Sequence, residues 1–199
     1  MATYQVESSA LVAPSAILGE GVRIWHHAQV REGAELGENV IVGKGAYVGP
    51  KVIVGRNSKI QNSALVYEPA RLGDGVFIGP AAVLTNDRHP RAVNPDVSQK
   101  SATDWQPVGV QIDEGASIGA GAILVAPLHI GAWAMIAAGS VVVKDVPAHA
   151  LVVGNPARQI GWVGKHGVRL VEQSQDSFIC PVSNSRYQLN RSTMGEVKN

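Results

Sequence analysis

An all-β chain wound into a three-sided solenoid is the fold the sequence predicts, and three observations predict it. Aliphatic residues recur at every sixth position, small residues recur four places after them, and glycine punctuates the same register. Valine outnumbers every helix former, which favours strands over helices. The aliphatic series runs Val6, Val12, Leu18, Ile24, Val30, Leu36, Val42, Val48, Val54, Ile60, Val66, Leu72, Ile78 and Leu84. Val, Ile and Leu make up about a quarter of the chain, so an unbroken run of them is not chance. The small series is Ala10, Ala16, Val22, Ala28, Ala34, Val40, Ala46, Val52, Ser58, Ala64, Ala70, Val76 and Ala82. A period of six fits neither a helix nor a single two-faced strand. It fits a chain that runs straight briefly, turns a corner and repeats. The large side chain fills the interior and the small one fits where the corner narrows. Three hexads close a coil, and coils stack about 4.8 Å apart through parallel backbone pairing. Glycines beside the aliphatics (Gly19, Gly37, Gly43, Gly49, Gly55, Gly73, Gly79) or two places further on (Gly21, Gly33, Gly45, Gly75) supply close backbone approach or positive φ.

The series stops at Leu84 and resumes out of phase at Ile112, Ile118, Leu124, Ile130, Ile136 and Val142. The intervening stretch, about 85–110, is polar, proline-containing and aperiodic, the character of a functional insertion. Two regions follow from this: a solenoid over 1–160 and an extension over 161–199 without hexads, expected to cap the last coil with a short helix or strand. Phe178-Ile179-Cys180-Pro181 reads as a packed strand, with Cys180 a buried hydrophobe.

Composition narrows the function. The 199 residues carry a formal charge of +1, with 45% hydrophobic and 17% charged residues, against disorder and against bulk attraction to nucleic acid or anionic membrane. One cysteine leaves no disulfide framework. The opening residues lack the basic and apolar regions of a secretory leader, so a cytoplasmic location is expected. Outward positions group by face. Leu11, Gln29, Tyr47, Leu65 and Val83 form one, Ile17, Glu35, Ile53 and Arg71 a second, and Arg23, Ile41, Lys59 and Phe77 a third. The apolar share of these stripes predicts buried interfaces and a homotrimer.

The repeats resemble the hexapeptide-repeat acyltransferase superfamily, which implies the left-handed form of the parallel β-helix. They also resemble the gamma class of carbonic anhydrases, but the three metal-ligand positions of that class hold Tyr67, Pro80 and Thr85 here. A proline side chain cannot ligate a metal, so no metal is expected. The stretches Ile112-Asp113-Glu114-Gly115-Ala116-Ser117-Ile118-Gly119-Ala120-Gly121-Ala122, Ala137-Ala138-Gly139-Ser140-Val141-Val142-Val143-Lys144-Asp145-Val146-Pro147 and Val153-Gly154-Asn155-Pro156-Ala157-Arg158 resemble the cofactor end of hexapeptide acetyltransferases. That resemblance implies acetyl-CoA as donor. Small residues such as Ala120 and Ala138 would lie along pantetheine, and Lys144 and Arg158 would meet its phosphates as charge-assisted donors.

Leu84-Thr85-Asn86-Asp87-Arg88-His89-Pro90-Arg91-Ala92, Trp25-His26-His27-Ala28-Gln29-Val30-Arg31-Glu32-Gly33-Ala34 and Asp104-Trp105 resemble bacterial N-acetyltransferases of 3-amino nucleotide sugars. Within these they resemble the UDP-2-acetamido-3-amino-2,3-dideoxyglucuronate N-acetyltransferases, which serve lipopolysaccharide O-antigen biosynthesis. Another nucleotide sugar, an O-acetyl acceptor and a non-catalytic scaffold stay open. No activated Cys or Ser nucleophile is visible, so direct attack of the sugar amine in a ternary complex is expected. His89 or Asp87 is a candidate general base. The preferred route gives the proton to the departing thiolate, whose acid has a pKa of about 8.5. Asn86 then orients the amine, accepting one N–H and donating another. Stacking at the eighteen-residue repeat sets Arg31, Glu32, Tyr67 and Glu68 toward Asn86, and Arg31 and Arg88 suit a carboxylate or diphosphate. Trp25 is expected to pack.

Overall fold

The computed structural model describes residues 3–197. From Gln5–Val6 to Val141–Val142, strands of two or three residues alternate with short turns. Each pairs in parallel with the strand one coil on: Gln5 with Arg23, Leu11 with Gln29, Ile17 with Glu35. The spacing of 18 residues is three hexads per coil. Three sheets of nine, seven and six strands form the faces of a β-solenoid of about eight turns. The second face, seven strands, carries Tyr47 and Leu65 outward, and the third, six strands, carries Glu35 and Ile53. Across the insertion the partners lie 40 apart, as Arg71 with Gln111 and Val83 with Ile123, so 22 residues are added to one coil.

The interior follows the six-residue series. From Ile24 to Leu84 each member is at most 3% exposed. Burying one such side chain contributes about 1.5–3 kcal/mol. The first coil differs: Val6 is 37% exposed, and Val12 and Leu18 are half-buried. The small positions from Val22 to Ala82 are all buried. Ser58, the polar one among them, donates to the Gly73 carbonyl at 3.1 Å and accepts the Val76 N–H at 3.0 Å.

Glycine plays two roles. Gly79 has ordinary φ, but a Cβ there would stand 2.6 Å from the Ala120 nitrogen of the next coil. The left-handed corner residue recurs every six positions, yet His27, Asn39, Lys51, Asn57 and Ser63 take it as well as Gly21, Gly33 and Gly45, with φ between 55° and 72°. Glycine is therefore sufficient at the corner but not required. The corner points into solvent, so a side chain meets only the local penalty of about 1–2 kcal/mol. Asn39 and Asn57 offset some of it by stacking, Nδ2 donating to Oδ1 at 3.2 Å.

Past the hexads, Ala150–Gly154 pairs antiparallel with Ala157–Trp162. Val171–Ser174, Ser177–Ile179, Arg186–Asn190 and Thr193–Glu196 then make a four-stranded antiparallel sheet. Leu170, Cys180, Tyr187 and Met194 form its small core, and Cys180 is fully buried. The Tyr187 hydroxyl accepts the Lys165 N–H at 3.0 Å, and its ring meets His149 edge-on at 5.3 Å. Lys165 lies over the Trp133 ring and pairs with Glu196 at 2.9 Å. Among the described residues there is no helix, hence none long and apolar enough to cross a membrane.

Candidate active site

The corner joining the second and third faces gathers the candidate residues. Each coil contributes the residue after its interior aliphatic: Arg31, Gly49, Tyr67, Thr85, then Val125 and Val143. The insertion leaves from Thr85, whose Oγ1 accepts the Ala126 N–H of the next coil at 3.0 Å. Its two ends close on each other, Val108 N–H donating to the Asn86 carbonyl at 2.9 Å. Gly109 lies against Pro69, where a Cβ would come within 2.9 Å of the Pro69 oxygen. The base of the loop therefore rests on the coil that carries Tyr67 and Glu68.

Within the loop, Asn86 and Asp87 are half-buried, while Arg88 and His89 are exposed. The Asp87 carboxylate accepts the backbone N–H of His89 at 2.8 Å, closing a local turn. That bond orients Asp87 toward its own chain. Further out, Ser98 hydrogen bonds hold Asp96 below the usual carboxylate range, and the Ser101 N–H and hydroxyl do the same for Asp104. These turns make the insertion a folded lobe.

Beneath the loop, Tyr47 and Tyr67 pack with their rings tilted by 48° and centroids 5.2 Å apart. Burial, then the charge of Glu68, raises the Tyr47 phenol, and Arg31 opposes them. Glu68 Oε2 is buried and accepts no hydrogen bond from the described residues. Gly49 leaves room for it, since a Cβ there would lie 2.5 Å from that oxygen. Tyr47 is absent from the sequence-derived candidates. Its outward position one coil before Leu65 was the available signal.

Arg31 and Glu32 form a forked pair, Nε to Oε2 at 3.1 Å and Nη2 to Oε1 at 3.2 Å. The pair raises the arginine. The carboxyl of Glu32 is lowered, first by its own backbone N–H and then by Arg31. With Leu11 and Gln29 they line a groove of about 400 Å³ on the second face. Three coils separate Arg31 from Thr85, about 14 Å at the usual strand spacing. Tyr67 and Glu68 thus adjoin the loop base, whereas Arg31 and Glu32 form a second cluster lower on the same corner.

Two coils above the loop, Lys144 and Arg158 face one groove of about 270 Å³, lined also by Val142, Val143, Pro147 and Gln159. Lysine and arginine across a narrow groove match phosphate oxygens. Ala120 and Ala138 stack at the opposite edge of the second face, where Gly139 N–H donates to the Ala120 carbonyl at 2.8 Å. They are exposed and flank the face without lining the Lys144 groove. Trp25, expected to pack, is 45% exposed at that same edge, because its corner turns outward. Beside it His26 lies 2.9 Å from the Ser9 hydroxyl and 3.4 Å from Glu7.

The family description "Bacterial transferase hexapeptide (six repeats)" matches residues 15–50 and 33–67. The coils over residues 15–67 match bacterial transferase hexapeptide repeats. Three parallel faces closing a coil every 18 residues are consistent with the left-handed β-helix. Serine acetyltransferase 2 of Arabidopsis thaliana is 32% identical over 149 residues, 75% of this chain and 31% of the relative. The dTDP-3-amino-3,6-dideoxy-alpha-D-galactopyranose 3-N-acetyltransferase of Aneurinibacillus thermoaerophilus is 54% identical over 52 residues, 26% of this chain and 27% of that protein. The chain thus spans under a third of either relative's length. A hexapeptide-repeat acetyltransferase of Vibrio cholerae, solved with acetyl coenzyme A, superimposes with a TM-score of 0.54 at 27% identity, covering 66% of this chain and 72% of that one.

Proposed function

We propose that this hexapeptide-repeat protein is an acetyl-CoA-dependent N-acetyltransferase of a nucleotide-linked 3-amino sugar. The acceptor we assign is a UDP-linked uronate of the 2-acetamido-3-amino-2,3-dideoxyglucuronate type, used for lipopolysaccharide O-antigen sugars in the cytoplasm. One observation carries the reading: a single corner of the solenoid holds the phosphate-type groove of Lys144 and Arg158 and, two coils below, the polar base of the insertion. On this reading a long phosphorylated donor and an amine acceptor would meet on one edge. The Aneurinibacillus relative, a 3-N-acetyltransferase by name, and the Vibrio structure with acetyl coenzyme A support the same chemistry.

Bound acetyl-CoA would supply the reactive thioester and a departing thiolate that takes the amine proton. The chain's own residues position and exclude. Lys144 and Arg158 hold phosphate, and Ala120 and Ala138 leave the far edge of the face smooth. Asn86 orients the amine, with Tyr67 and Glu68 beneath it. Arg31, Glu32 and Arg88 are assigned to the sugar nucleotide, with Arg31 exchanging its Glu32 partner for an acidic group of the substrate. Asp87 holds the His89 turn in this structure and serves the site through loop shape. Outward apolar residues on the flanks, Leu11 at 66% and Ile17 at 61% exposed, support a homotrimer.

A thiol-release assay over 3-amino and 4-amino nucleotide sugars, each as neutral sugar and uronate, tests the acceptor. The reading requires turnover with the 3-amino uronate above all others. Release with none of them, or with serine alone, would overturn it. Sedimentation equilibrium tests the trimer.

A further inference from the structure

The last coil is two residues short. Interior partners are 18 apart at Leu124 with Val142, but 16 apart at Ile130 with Val146 and at Ile136 with Val152. The missing pair falls in the corner that carries Lys144. In intact coils the outward residue of a strand donates its N–H to a backbone carbonyl 17 places on, as Glu35 to Val52 and Ile123 to Ser140. His129 has no such carbonyl. Its N–H instead meets Asp145 Oδ1 at 2.8 Å, while its own carbonyl accepts Val146 N–H at 2.9 Å. The Asp145 side chain thus replaces a peptide group that the shortened coil lacks.

The consequence reaches the neighbouring groove. Asp145, Val146 and Pro147 form a wall with two sides. One side faces Lys144 and Arg158. The other faces His129, Asp113, Ser192 and Thr193, with His129 Nε2 at 2.8 Å from Asp113. The bond from the His129 N–H fixes the Asp145 part of the wall against the neighbouring coil. Without that acceptor the wall would be free to shift, and with it the spacing of Lys144 and Arg158 that phosphate meets.

We infer that Asp145 is a positioning residue for a phosphorylated ligand of the Lys144–Arg158 groove, acting as a surrogate backbone acceptor without touching that ligand. The inference rests on reading that groove as the coenzyme A site. Asp145→Ala and Asp145→Asn in the full chain separate its parts, because asparagine keeps the acceptor oxygen. Coenzyme A titrated calorimetrically should bind Asp145→Ala roughly tenfold more weakly. Asp145→Asn should bind within about threefold of the parent. In acetyl-CoA kinetics the alanine variant should raise KM for the donor and leave KM for the amine unchanged. Amide exchange at His129, read by NMR, should quicken in Asp145→Ala and stay slow in Asp145→Asn. Equal weakening of both variants would mean that the charge, not the acceptor, matters, and would overturn the inference. So would unchanged binding in Asp145→Ala. If the parent chain bound no coenzyme A, the functional reading would fall, while the His129 exchange would still judge the surrogate bond.

Discussion

Thr85 Oγ1 accepts the backbone N–H of Ala126 at 3.0 Å, joining two residues 41 apart in sequence across the root of the insertion. Ala126 is 2% exposed, so its N–H depends on that hydroxyl. Thr85→Val keeps the shape and removes the acceptor. It should lower unfolding stability by about 1–3 kcal/mol, the penalty of an unpaired buried donor. It should also speed amide exchange in residues 86–109 more than in the coils. Urea melts and exchange mass spectrometry measure both. A stability equal to the parent's would show that the hydroxyl is dispensable.

Lys144→Ala and Arg158→Ala should each raise KM for acetyl-CoA roughly tenfold, as expected for loss of a charge-assisted bond. KM for the amine should hold. Both cations line one groove, so the double variant should fall short of the product of the two effects. Dephospho-coenzyme A identifies which phosphate each serves, because a variant that has lost its contact no longer discriminates against it.

The solenoid was legible because its period is the coil itself: every interior residue from Ile24 to Leu84 stands where a count of six puts it. The insertion was legible as a break in that count. Other features were not. Lys51 and Asn57 take the left-handed corner with no glycine to announce it, since an exposed turn accepts most side chains at modest cost. The tail's four strands have unequal lengths and spacings, so no period marks them. At the site, eighteen-residue stacking correctly set Tyr67 under Thr85, but it carries no information on side-chain partners. It therefore missed Tyr47 against Tyr67, and it gave no measure of the three coil steps between Arg31 and Thr85 at the start of the loop.

Asn86 and His89 divide the two proton routes. Asn86→Ala should reduce kcat/KM by roughly a hundredfold, the usual loss when a reacting group is misoriented. His89 is exposed and its backbone is tied to Asp87, so His89→Ala should stay within about fivefold and keep the shape of the pH profile, whereas loss of a general base would remove 10²–10⁴-fold. A profile whose acidic limb disappears in His89→Ala would assign the proton to the imidazole and displace the thiolate route.

His149 links acidity to the junction of coils and tail. Its ring is 5% exposed as a residue, lies against Tyr187, and has Nδ1 at 2.9 Å from the Val163 carbonyl. Burial lowers its pKa, the Val163 carbonyl opposes that shift, and the Lys165 charge adds to the lowering while Glu196 works against it. In the unfolded chain the imidazole titrates near 6.5. Between that value and the lower folded one, the unfolded state binds the proton more readily. Stability is therefore fully present above about pH 6.5 and declines as pH falls below it. His149→Gln keeps a donor for Val163 and cannot titrate. Urea midpoints at about pH 7.5 and about pH 5.5 should drop more between the two for the parent than for His149→Gln. Equal drops would place the acid sensitivity of this window elsewhere than His149, and not in Asp96 or Asp104, whose hydrogen bonds to Ser98 and Ser101 keep them ionised across it.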